Sequence, residues 1–146
     1  MLDVATQEFA EYGIAGARIE RIVNVVPIDA DDLADWAVRL YDEYLRRPDL
    51  IRPATWARLE RRPAGRLVDD HDRLDDGKLR AIAEAQAAGR VREGDPFDVM
   101  AMIIAMSMAW LPVSNVYAAT AQEPSELHER RRALLRESVR RAMSTG

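Results

Sequence analysis

The stretch from Asp95 to Tyr117, DPFDVMAMIIAMSMAWLPVSNVY, constrains the fold most, because it is apolar on nearly every side over several turns. Asp95 can cap free backbone N–H groups, Pro96 suits the first helical position, and Asp98 complements the positive end of the helix dipole. The pattern predicts a helix that starts at Pro96 and runs to Tyr117, with a kink near Trp110 where Pro112 removes a backbone bond. Phe97, Met100, Ile103, Ile104, Met106, Met108, Trp110 and Leu111 cover almost its whole circumference, which an amphipathic surface helix does not do. Such a helix belongs inside a domain, in a subunit interface or in lipid. The run from Val99 to Val113 is shorter than the roughly 20 apolar residues of a spanning helix. Ser114, Asn115 and Glu123 follow it, so a membrane role is not expected. Ala101, Ala105 and Ala109 recur every fourth residue and predict a stripe on which a second helix can pack closely.

The remaining segments read as amphipathic helices that pack around this one. Leu2, Ala5, Phe9 and Tyr12 fall at helical spacing, and Gly13 supplies a left-handed cap. A second helix carries Ala17, Ile19, Ile22 and Val23, and its character breaks at Asn24. Asp29, with Asp32 in the capping-box position, predicts the start of a helix bearing Leu33, Trp36, Ala37, Leu40, Tyr41, Tyr44 and Leu45. It must end by Arg47, because Pro48 follows. A shorter helix over Leu50–Arg61 turns Trp56 and Leu59 inward, and Arg58, Arg61, Arg62 and Arg66 read as a solvated helix end. Leu74, Leu79, Ile82, Ala85 and Gln86 continue the pattern to a cap at Gly89. The last helix runs from near Pro124 to about Met143, with Leu127, Leu134, Leu135, Val139 and Met143 facing a partner. Arg130, Arg131, Arg132, Arg136, Arg140 and Arg141 are expected mostly in water.

Composition excludes several functions. A net charge of −4, from 21 basic and 25 acidic residues, gives no global attraction to nucleic acid. Without cysteine there are no thiolate sites, and His71 and His128 are too few for a conventional histidine-based metal centre. The acidic run Asp69–Asp76 lacks the glycine and terminal glutamate of a calcium loop. No phosphate loop, nucleophile elbow or Ser–His–carboxylate arrangement is present, so no catalytic residue, metal or cofactor is assigned. The N-terminus is an acid-bearing amphipathic helix rather than a secretory leader, and a cytoplasmic protein is expected.

The order helix, glycine turn, helix at the N-terminus carries a resemblance. ATQEFAEYGIAGARIERIV resembles the opening of the DNA-binding domain of TetR-family transcriptional regulators, with Ala5, Phe9, Ala10, Gly13, Ala17 and Ile22 on the family pattern. Members continue into a tyrosine-rich recognition helix, whereas here Val23 is joined directly to Asn24. Either that helix has been lost, or the sequence omits the segment that carries it. The resemblance implies an all-α fold: a remnant of a helix-turn-helix over residues 1–23 and a ligand-binding and dimerisation domain over 24–146, with a two-helix dimer face.

It also implies a non-enzymatic regulator that binds operator DNA as a homodimer and is released by a small-molecule effector. The apolar and aromatic lining suggests a small apolar or aromatic effector. The alternative is a dimeric helical ligand-binding or adaptor module that has lost DNA binding. Methionines adapt to irregular cavities and aromatic rings add walls with polar tips. The expected pocket residues are therefore Trp56, Met106 and Trp110, with Tyr41, Met102 and Tyr117. Arg18 and Arg21 are placed to touch DNA phosphate. Ala101, Ala105, Ala109, Leu127, Leu134 and Leu135 are assigned to the dimer face.

Overall fold

The computed structural model describes residue 23, residues 25–47 and residues 75–145. Four helices make up this part: α1 (Leu33–Arg46), α2 (Asp75–Ala87), α3 (Pro96–Ser107) and α4 (Ser125–Met143), with a 3₁₀ turn over Pro112–Ser114. The first expected helix, the second up to Ile22, the one over Leu50–Arg61 and the arginine block after it lie outside the described residues, as do Trp56, Arg18 and Arg21.

The most enclosed helix is α1. It buries Leu33, Ala34, Trp36, Ala37, Val38, Leu40, Tyr41 and Tyr44 and packs against both α3 and α4. Its N-cap is Asp32, whose carboxylate accepts from the Asp35 amide at 3.0 Å. The cap expected at Asp29 thus moves on by three residues, because Asp29 is used in the preceding turn, where it accepts from the Asp31 amide at 3.0 Å. The second-helix pattern also outlasts its expected end: Val23 and Val25 are both helical. Val23 and Val26 are buried in the core around α1, and the Trp36 indole N–H donates to the Val26 carbonyl at 3.0 Å.

Helix α2 packs on α3 and ends as expected at Gly89, whose φ of 76° is open to glycine without a Cβ penalty. The turn that follows is held by Gln86, which donates to the carbonyls of Arg92 and Gly94 at 3.0 and 2.8 Å. The same turn reaches the far end of α4. There the Arg92 amide donates to the Met143 carbonyl at 2.9 Å and its guanidinium to Ala142, satisfying terminal carbonyls of that helix.

The N-terminus of α3 is as read from the sequence, with Asp95 accepting from the amides of Phe97 (2.8 Å) and Asp98 (3.1 Å). Loss of that cap in Asp95→Ala is expected to destabilise by about 1 kcal/mol. In a thermal melt Asp95→Asn should stay close to wild type, because asparagine caps equally well.

The C-terminus of α3 is a correction. The helix stops at Ser107, well short of Tyr117. A helical Pro112 would press its ring on the Met108 carbonyl and drive Leu111 out of helical backbone. Leu111 accordingly lies at φ −90°, ψ 157°. Ser107 marks the end, its hydroxyl donating back to the Ile104 carbonyl at 2.6 Å. Pro112 therefore ends the helix instead of kinking it, and Trp110 sits on a turn. Asn115, at φ 62°, closes the 3₁₀ turn in the left-handed conformation its short polar side chain tolerates. Nor is α3 covered all round: Val99, Met100, Ile103, Ile104 and Ser107 are buried, while Ala101, Met102 and Ala105 are exposed. Among the described residues no helix is long and apolar enough to cross a membrane.

Candidate functional site

Helix α4 reaches the core through an unexpected stripe. Leu135, Val139 and Met143 are buried, and one more turn towards the N-terminus brings Arg131 and His128 onto the same side. Both are almost wholly enclosed, at 4% and 6% exposure. Arg131, expected in water, is instead the centre of a polar network between α4, α1 and the connection that leads into α4.

Three of its N–H bonds can be traced. Nη1 donates to Glu123 Oε1 at 2.9 Å and to Tyr41 Oη at 3.1 Å, and Nη2 donates to Glu123 Oε2 at 3.0 Å. The guanidinium also lies 4.9 Å from the centre of the Tyr117 ring, within cation–π range. Glu123 in turn accepts from the Thr120 amide at 2.9 Å and from the Tyr117 hydroxyl at 2.5 Å. Four donors thus converge on one carboxylate. The Ala119 amide donates to the Trp110 carbonyl at 2.9 Å, so the strap between Trp110 and Glu123 is pinned at both ends.

Each shift in acidity follows from this geometry. The Arg131 guanidinium, aided by the Tyr117 hydroxyl, holds Glu123 down at about 2. Glu123 raises both Arg131, already basic, and the Tyr117 phenol above their ordinary values. A carboxylate depressed on folding stabilises the native state fully above its unfolded value, near 4.5, and loses that contribution as pH falls towards 2. The stability difference between wild type and Glu123→Gln, followed by urea unfolding, should therefore be constant above about pH 5 and shrink below it.

On the α1 side, Tyr41 Oη lies 2.7 Å from His128 Nδ1. Because that oxygen already accepts from Arg131, the phenol proton is best used towards Nδ1, which leaves the imidazole proton on Nε2. His128 Nε2 is buried without a hydrogen-bond partner among the described residues. Trp110 meets Tyr41 edge-on, with ring centres 5.9 Å apart at 83°. Deeper along α1, the Tyr44 phenol lies 3.4 Å from Ser107 Oγ, and burial pushes it well above its ordinary value. Asp42 adds a second tie to α4 through Arg132 Nε at 2.8 Å.

The residues expected in the pocket are thus divided. Tyr41 meets both Arg131 and His128, Tyr117 lies against Arg131, and Trp110 packs on Tyr41. Met106 is half-buried against the core, whereas Met102 is 55% exposed on the opposite side, in line with Ala101, Ala105 and Ala109. Of the residues assigned to the dimer face, the three alanines and Leu134 are exposed and Leu127 is half-buried. Leu135 points into the protein's own core at 2% exposure. Two open clefts lie elsewhere. One of about 170 Å³ is bounded by Asp31, Arg90 and Arg140, the other, of about 230 Å³, by Pro27, Arg39, Asp42, Glu43 and Arg46. Neither contains an expected pocket residue.

Residues 32–141 match the family model of the tetracyclin repressor-like C-terminal domain. The chain belongs to the TetR family. The match takes in α1, α2 and α3 whole and all but the last two residues of α4, so the Arg131–His128 network lies inside the TetR-family domain. Similarity extends to an HTH-type transcriptional repressor, SCO4008, of Streptomyces coelicolor, which is 27% identical over 143 residues covering 73% of this chain and 74% of the relative. That alignment is longer than the part of this chain it covers, so it includes positions filled in the relative alone. The crystal structure of a transcriptional regulator, SCO4942, also from Streptomyces coelicolor, superposes with a TM-score of 0.65 at 26% identity, covering 97% of this chain and 95% of that one. Membership of the TetR family gives this chain a regulatory, non-enzymatic role.

Proposed function

We propose that this chain is the effector-sensing and dimer-forming part of a TetR-type repressor, which binds operator DNA as a homodimer and is released by a small apolar or aromatic molecule. The observation that supports the reading most is the outward stripe of Ala101, Met102, Ala105 and Ala109 on α3, beside a helix, α4, that exposes Leu134. Two adjoining helices with small and apolar side chains turned outward suit a four-helix interface between two copies. An effector acts on such a dimer by preferring the conformation in which the two DNA-reading heads miss successive major grooves, roughly 34 Å apart. Its differential affinity for the two conformations sets how far operator binding weakens.

The second reading, a dimeric ligand-binding or adaptor module without DNA binding, is favoured by the direct junction of Val23 to Asn24 and by the burial of Val23 and Val26 in the regulatory core. Intact mass of the protein from its source cells separates the two. A mass well above 16.5 kDa, together with enrichment of specific genomic fragments, supports the repressor. A mass of 16.5 kDa with no enriched fragment leaves the adaptor.

A further inference from the structure

We propose that His128 Nε2 is the polar anchor of the effector site, and that the effector presents to it an uncharged hydrogen-bond acceptor, a carbonyl oxygen on an aromatic or apolar body. The inference rests on the effector-responsive reading above and specifies its ligand.

It begins with an unmade bond. Tyr41 Oη lies 2.7 Å from His128 Nδ1 and accepts from Arg131, so the tautomer that gives the phenol proton an acceptor carries the imidazole proton on Nε2. In that tautomer the Nε2–H is buried and has no acceptor among the described residues. A buried donor left unpaired costs more than an ordinary hydrogen bond contributes, so native proteins rarely keep one unless something else supplies the acceptor. Here the neighbourhood is aromatic: Tyr41 lies 5.9 Å from the His128 ring centre, and Trp110 stands edge-on against Tyr41. Trp110 is only half-buried and sits on the turn after α3, so it forms the yielding side of the cluster.

Charge decides between a neutral acceptor and an anion. Arg131 is the cation of this network, and its charge is matched by a two-bond pairing with Glu123. Among the described residues of this network an incoming carboxylate would meet no uncompensated cation and would be desolvated without a matching charge. A ketone or quinone oxygen accepts a hydrogen bond from Nε2–H without that cost.

The test uses the full chain with ¹⁵N-labelled histidine and three probes of one size: 2-acetylnaphthalene, 2-naphthoate and 2-ethylnaphthalene. Two-bond ¹H–¹⁵N spectra should first show His128 protonated at Nε2; a proton on Nδ1 overturns the proposal. At millimolar probe, the ketone should shift the Nε2 signal and bind roughly five- to tenfold more tightly than the hydrocarbon, the worth of one neutral hydrogen bond. His128→Phe should abolish that preference. If that variant does not fold, Tyr41→Phe, which frees the tautomer, should reduce it. A preference for the naphthoate, a ketone preference that survives both variants, or no response from any probe overturns the assignment. Failure here alongside captured genomic fragments rejects the ligand class alone, whereas failure of fragment capture rejects the repressor itself.

Discussion

Arg131→Met is expected to lower the melting temperature by about 9 °C. The arithmetic is a loss of about 3 kcal/mol for breaking a largely buried ion pair, at roughly 3 °C per kcal/mol for a chain of this size. Methionine fills much of the space but donates nothing. Glu123 is left with the Thr120 amide and the Tyr117 hydroxyl, and Tyr41 Oη loses a donor from α4. The strap into α4 is held largely through Glu123, so limited proteolysis should cut the variant between Asn115 and Glu123 faster than wild type. A double-mutant cycle with Glu123→Gln isolates the pair. If Arg131 is the keystone, the double mutant should be more stable than the sum of the single losses. A change of less than about 1 °C in Arg131→Met would show that water serves Glu123 as well as the guanidinium does.

The second large effect concerns association. Ala105→Arg should convert a dimer into a monomer of 16.5 kDa, because it places a charge in the middle of a stripe whose small side chains permit close helix approach. Ala105 is exposed within one chain, so the substitution should leave the isolated fold intact. The circular dichroism spectrum should stay helical while light scattering at micromolar concentration reports half the wild-type mass. An unchanged dimer would move the interface off α3. A wild-type chain that runs as a clean monomer would remove it altogether.

What could be read in advance was local. Asp95 and Pro96 start α3, Gly89 ends α2 and Pro48 limits α1, because each acts through bonds or sterics within about a turn of itself. The all-α architecture and the core positions of Trp36, Tyr41, Ile82 and Ile103 followed from helical periodicity for the same reason. The network around Arg131 was not legible, because periodicity assigns arginine to water and its partners Tyr41 and Glu123 are brought in by tertiary packing. One signal was available. Extending the Leu135–Val139–Met143 stripe backwards at helical spacing lands on Arg131 and His128, a charged and a polar residue on an otherwise apolar side. The end of α3 has a different cause. The apolar pattern reads Pro112 as a bend, whereas its ring clashes with a helical Met108 carbonyl and disfavours helical backbone at Leu111, so the helix ends instead.

The seam between α1 and α4 carries a consequence for the order in which the chain assembles. Its polar ties, Tyr41 to His128, Arg131 to Tyr41 and Arg132 to Asp42, join residues 87 to 90 positions apart. Gln86, by contrast, closes the α2–α3 turn across six and eight positions. Short closures cost little chain entropy and form early, whereas long ones wait until most of the chain is in place. The α2–α3 hairpin is therefore the natural nucleus, and α1 keeps much of its broad apolar side uncovered until α4, the last of these four helices in the chain, arrives to close the bundle. Until then that side is the part of the described bundle most in need of a chaperone.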